Sequence, residues 1–398
     1  MLKQLQGIKQ KYPNQYWLIF WGMLISSIGS SMIWPFLLIY VSNRLSLPLT
    51  KTASLLTIYA VSGLIASFVA GPIIDKVGRK WVMVVSLASM ALMYVLMIRA
   101  DTYPVFAYLL ILGGTVNPLY RVGADAMLAD LIPSVDRIDA YALVRLITNF
   151  GVALGPAIGG FLSASSYAFT FYSAAISMCT YSLLLLFFAR ETLPPSPPEI
   201  VGRKIERWGG YDRVLRDTPF ISTIAAFAFG WITAALMWMI LPVYANKNFN
   251  VPENIYGLIP TTNAAMVVLF QLVVTRITKR YRPLNMMAFG MLFYAVGTGS
   301  VALGHGFSGF WLSMVIITIG ELIIVPTSST YVANTAPTDM RGRYMSIYGL
   351  TWGIASGIGP VLGGWLSDTI RPQAIWYGGF LIGLTSTIAL YCLSRRSS

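Results

Sequence analysis

Gly71-Pro72-Ile73-Ile74-Asp75-Lys76-Val77-Gly78-Arg79-Lys80 decides the reading of this chain. It sets four charged residues between two long apolar runs, as a short turn held against a membrane face would. Asp75 and Arg79 stand four positions apart, where opposite charges meet across a tight turn or a helix end. Gly71 and Gly78 are placed to let backbones approach closely or to adopt a positive φ.

Composition agrees with a membrane setting. The chain of 398 residues is 56% hydrophobic and only 11% charged, against about 25% charged in soluble domains. Mean hydropathy is +0.67, too apolar a surface to be covered for water. The net charge of +13 does not point to nucleic acid, because the basic residues are scattered through short loops rather than gathered on one face with stacking aromatics. Cys179 and Cys392 both fall inside apolar runs, where a thiol is simply a small hydrophobe. No metal-ligand cluster, phosphate-cradling loop or nucleophile–base pairing stands out, so no metal, no cofactor and no enzymatic activity are expected.

About 20 apolar residues suffice to cross the hydrocarbon. Twelve such runs are read, at 16–41, 52–74, 80–100, 103–128, 138–164, 167–189, 219–245, 253–275, 283–303, 307–331, 342–367 and 371–393. The first is longer than the apolar core of a cleaved signal and lacks a small-residue cleavage site. Between the sixth and seventh lies the one long polar stretch, with Pro194, Pro195, Pro197 and Pro198 followed by Arg203, Lys204, Arg207, Arg213 and Arg216. The expected organisation is therefore an all-α membrane protein: a six-helix half over 1–190, a linker over 191–217 and a second half over 218–398.

Placing both termini in the cytoplasm puts 23 of the 28 basic residues on that side and leaves Arg44, Lys51, Arg99, Lys247 and Arg371 outside. A multi-pass protein of the plasma (inner) membrane is expected, with both ends cytoplasmic.

The two halves are related. Ala129-Asp130-Leu131-Ile132-Pro133 corresponds to Ala333-Asn334-Thr335-Ala336-Pro337, Arg137 to Arg341, and Gly155-Pro156-Ala157-Ile158-Gly159-Gly160 to Gly359-Pro360-Val361-Leu362-Gly363-Gly364. One offset of 204 residues relates every pair. Two parallel six-helix repeats follow, an internal symmetry that transporters use to alternate access around a mid-membrane site.

With these features together, the chain resembles the major facilitator superfamily. Gly71, Asp75, Gly78, Arg79 and Lys80 match that family's loop between helices 2 and 3, G-x-x-x-D-x-x-G-R-K. Gly151 through Gly160 resemble the helix 5 signature G-x-x-x-G-P-x-x-G-G of its proton-driven drug antiporters. The resemblance implies that Asp75 and Arg79 pair with an acidic residue at the cytoplasmic end of helix 4, where Asp130 stands, in a latch that breaks when the cavity opens inward. Gly151, Gly155, Pro156, Gly159, Gly359, Pro360 and Gly363 read either as plain helix packing or as a compliant hinge between halves.

Ionisable groups inside the hydrocarbon are costly and are functional candidates by default. Glu321 stands midway along the tenth span with no basic residue within a helical turn, either as a proton carrier or as a permanently neutral structural group. Helix 10 of some antiporters that this chain resembles also bears a membrane-embedded acid. The repeat mate of Glu321 is the uncharged Asn117. Arg121 and Asp125 share a face of the fourth span, and read equally as a self-satisfied pair or as functional groups. Arg145 reads as an interface residue or a partner of Asp130. Trp34, Trp231, Met237 and Trp238, with Asn117, Arg121 and Asn149, are candidates for a substrate cavity; most such aromatics simply pack or face lipid.

The reading that results is a proton-coupled exporter of lipophilic or cationic small molecules, a monomer whose partners are its substrate, protons and the bilayer. Proton coupling falls to Glu321 and Asp125. A symporter for a small polar solute or a flippase for a lipid-linked molecule shares the fold, and a non-transporting sensor or scaffold is the reading from another class.

Overall fold

In the computed structural model, which describes residues 11–133, 136–193, 211–337 and 340–396, twelve long helices succeed one another. They are α1 (Asn14–Leu45), α2 (Leu49–Val77), α3 (Arg79–Met97), α4 (Tyr103–Leu131), α5 (Arg137–Ser165) and α6 (Tyr167–Phe188). After the linker follow α7 (Thr218–Phe249), α8 (Glu253–Thr278), α9 (Pro283–Ser300), α10 (Gly306–Thr335), α11 (Arg341–Thr369) and α12 (Ala374–Arg396). Ten are long and apolar enough to span a membrane by themselves; α9 and α11 complete the set. Lys3, Lys9 and linker residues 194–210 lie outside the described residues.

Local chemistry explains the ends and breaks. Asp217 caps α7, accepting from the Phe220 amide at 3.2 Å, and its other carboxylate oxygen accepts from Tyr344 Oη at 2.7 Å. Pro35 interrupts α1 at Trp34–Phe36, since proline has no amide hydrogen to give the ladder. In α7 the ladder widens into a π turn at Leu236–Ile240 just ahead of Pro242, which leaves the Trp238 carbonyl without its usual partner.

The charged stretch is less of a loop than its sequence suggests. α2 continues through Gly71, Pro72 and Asp75 to Val77, so the turn is the single residue Gly78. Gly78 has a φ of +104°, and a Cβ there would strike the Glu191 carboxylate. Gly71 is helical with nothing within 4 Å of a would-be Cβ, so neither a close approach nor a positive φ accounts for it.

Contacts divide the chain into two compact units. One gathers α1 through Leu37, α2 from Val61, and α3–α6; the other gathers Leu38–Ala60 with α7–α12. The repeat boundary and the unit boundary therefore differ, because the α1–α2 hairpin tip is packed among helices of the second repeat.

Inside each unit two helix contacts of the repeat recur at equivalent positions. A Cβ on Gly155 of α5 would overlap Ser31 of α1, and one on Gly359 of α11 would lie 2.8 Å from Ala235 Cβ on α7. Likewise Gly159 lies against the Met32 backbone and Gly363 against Leu236, 2.7 Å from its Cδ2. In each pair of contacts both residues are displaced by the same 204 positions, so small residues let equivalent helices touch in both repeats.

Candidate functional site

A charge cluster forms around the start of α3. The Arg79 side chain is nearly buried; its Nη2 lies 3.2 Å from Asp75 Oδ1 and its Nε 3.1 Å from Asp130 Oδ2. Thr192 Oγ1 also donates to Asp130 Oδ2, at 3.0 Å. Gly78 has no side chain with which to cap α3. That role falls to Glu191, whose two oxygens accept from the Arg79 and Lys80 amides at 2.9 and 3.0 Å. Lys80 stays out of the cluster, its Nζ 5.2 Å from the centre of the Trp81 ring. Arg145 is exposed and forms no ion pair with Asp130 among the described residues. Sequence reading missed Glu191 and Thr192, since they join the cluster from more than 60 residues beyond Asp130 and carry no motif.

In the second unit a polar site is built across three helices. Glu321 on α10 is half-buried, and its Oε2 accepts from Asn263 Nδ2 on α8 at 2.7 Å. The same amide donates to Thr318 Oγ1 at 2.9 Å. Thr318 and Glu321 stand three residues apart on one face of α10, which is what lets one amide reach both. Tyr294 on α9 adjoins Glu321 closely enough to interact with its charge, and its own hydroxyl is buried with no hydrogen-bond partner among the described residues. No basic side chain pairs with Glu321 among the described residues. Asn263 was legible only as a polar residue inside an apolar run.

An aromatic wall extends from this site. Trp231 on α7 packs edge-on against Tyr294 at 5.7 Å, Trp352 at 5.5 Å and Phe227 at 5.2 Å, and Phe227 stacks on Tyr348 at 5.7 Å. Trp231, Trp34 and Trp238 are each half-buried. Met237 departs from its expected place in a cavity lining: it is fully buried, with Leu236, Met239 and Ile240 of the π turn.

On α4, Arg121 and Asp125 are exposed, and their charges interact without closing a salt bridge. The self-satisfied pair that their spacing allows is therefore not formed. Asn117 is half-buried on the same helix and Asn149 on α5 is exposed.

Comparison with known proteins agrees with this architecture. The model of the Major Facilitator Superfamily matches residues 19–252 and again residues 223–398. Among curated proteins, a Na(+), Li(+), K(+)/H(+) antiporter of Planococcus maritimus is 25% identical over 378 residues, covering 87% of this chain and 86% of its own. Multidrug resistance protein MdtH of Yersinia enterocolitica is 23% identical over 325 residues, 81% of this chain and 80% of its own. Among solved structures, a POT family transporter in complex with a thioalcohol-conjugated peptide superposes with a TM-score of 0.80 at 16% identity, over 97% of this chain and 99% of that one, a likeness of fold.

Proposed function

The chain belongs to the Major Facilitator Superfamily of membrane transporters, and on that premise we propose that it exports lipophilic or cationic small molecules in exchange for protons. The carrying observation is the setting of Glu321, a carboxyl within an apolar span whose hydrogen-bond partner is the neutral Asn263 amide. A carboxylate without a fixed cation can take either a proton or a cationic substrate, and that competition is sufficient for counter-transport. The Trp231 and Trp352 rings offer faces that attract both apolar surface and positive charge. The names of two relatives, one stating exchange of alkali cations for protons and the other multidrug resistance, support the same direction of reasoning.

In this reading the Asp75–Arg79–Asp130 cluster is the cytoplasmic latch and Asp125 a second proton site. The protein works as a monomer in the plasma membrane with both termini in the cytoplasm. The test is substrate-induced proton flux in liposomes containing the purified protein, with ethidium, benzalkonium, a sugar and a dipeptide as probes. Proton flux with the two cations, lost in Glu321→Gln, is the expected result. Flux with the sugar or dipeptide alone would overturn the exporter reading in favour of symport.

A further inference from the structure

The α1–α2 hairpin tip, Leu38–Ala60, is gripped by two oppositely charged side chains of the second repeat. Asp368, at the end of α11, accepts from the Thr50 amide at 2.8 Å, the Thr50 hydroxyl at 2.7 Å and the Leu49 amide at 3.3 Å. Leu49 and Thr50 open α2, so the carboxylate meets donors that the helix itself leaves unpaired, at the positive end of its dipole. Lys247 on α7 donates to Ser42 on α1, and its charge interacts with that of Asp368.

The helix surfaces are shaped for this contact. Gly357, Gly364 and Asp368 lie along one stripe of α11, as Thr50 and Thr57 do on α2. A Cβ at Gly364 would lie 2.6 Å from the Thr50 backbone, and Thr57 Oγ1 donates to the Gly357 carbonyl. The repeat mate of Asp368 is Ala164, so the first repeat has no such acid.

Glu191 holds the start of α3 in the same manner, yet the two clamps differ in what they join. Glu191, at the start of the linker, and α3 belong to one compact unit. Asp368 instead ties the second repeat to a helix of the first, and alternating access requires the repeats to part. We propose that Asp368 is the release point of the α1–α2 hairpin: its hydrogen bonds to Leu49 and Thr50 hold the tip on α11 in one state of the cycle and break in the other.

The test uses the full-length protein with its two cysteines replaced (Cys179→Ser, Cys392→Ser) and a reporter, Thr57→Cys, beside Gly357. Labelling by a membrane-impermeant maleimide is compared with and without Asp368→Asn, and hydrogen exchange of residues 46–60 and 79–97 is followed in parallel. Loss of a charge-assisted contact predicts labelling and exchange at 46–60 roughly tenfold faster, with 79–97 unchanged. Glu191→Gln should do the reverse, loosening 79–82 and leaving the hairpin tip as it was. Unchanged labelling in Asp368→Asn, or faster exchange spread evenly over both segments, would overturn the proposal; neither readout depends on proton coupling.

Discussion

Asn263 on α8 donates to Glu321 on α10 at 2.7 Å, and so ties the carboxyl to a neutral amide from another helix. Replacing either residue separates charge from geometry. Glu321→Gln keeps the shape of the site and removes its titration, so uphill export should fall to background while downhill exchange of substrate survives. Asn263→Val leaves the carboxyl without this donor and should lower the substrate-driven proton flux about tenfold, as loss of a hydrogen bond to a charged group does. Wild-type flux and pH profile in Glu321→Gln would move coupling elsewhere, with Asp125 next in line.

Two glycines that look alike in sequence should behave oppositely. Gly159 lies against the Met32 backbone, which cannot step aside, so Gly159→Ala should cost about 1–3 kcal/mol by overpacking. Gly71 sits in open space inside α2, where alanine is a better helix former by about 1 kcal/mol. Thermal unfolding in detergent should show Gly159→Ala melting lower and Gly71→Ala melting at or above the parent temperature.

The charge cluster divides stability from transport. The Asp75 side chain is 70% exposed, whereas Asp130 is 27% exposed and holds both Arg79 and Thr192. Asp75→Asn should change stability by less than about 1 kcal/mol, as exposed pairs do, while slowing transport. Asp130→Asn removes the better-buried partner of a nearly buried guanidinium and should lower both. Normal transport in Asp75→Asn would remove it from the latch.

A pH effect follows from Lys11, which lies outside the spans. Its ammonium is 2.9 Å from Asp136 and 3.1 Å from Asp139, and these carboxylates raise it above the ordinary lysine range. A folded-state value above the unfolded one gives stabilisation that is present at neutral pH and lost as pH rises through the folded value. Melting curves of the parent and Lys11→Met should therefore differ at pH 7 and converge under strongly alkaline conditions.

The spans and the repeat were readable because both are written in local pattern: apolar length for the first, a constant offset for the second. Even the contacts Gly155–Ser31 and Gly359–Ala235 follow that offset, although only their glycine members stand in a repeated motif. Asp75 and Arg79 stand in one motif, and the family resemblance points from them to Asp130. Asn263, Glu191 and Asp368 had no such mark; each acts through a partner 58 or more residues away, and a single polar residue in an apolar run says nothing about which helix it faces. The end of α2 differs for a related reason: the apolar run stops at Ile74, before the charges, yet a helix supported by its neighbours continues through Asp75 to Val77.

Packing of the hairpin tip with the second repeat also bears on biosynthesis. Leu49 and Asp368 are 319 residues apart, so at roughly 5–20 residues per second the tip is made on the order of 15–60 s before the residue that will hold it. Ile39, Val41, Ala53 and Leu55, all buried in the finished protein, must meanwhile be sheltered by lipid or by the insertion machinery. A gene severed within codons 194–210 would prolong that wait indefinitely. The N-terminal fragment should then be degraded when made alone and rescued when the C-terminal fragment is made beside it.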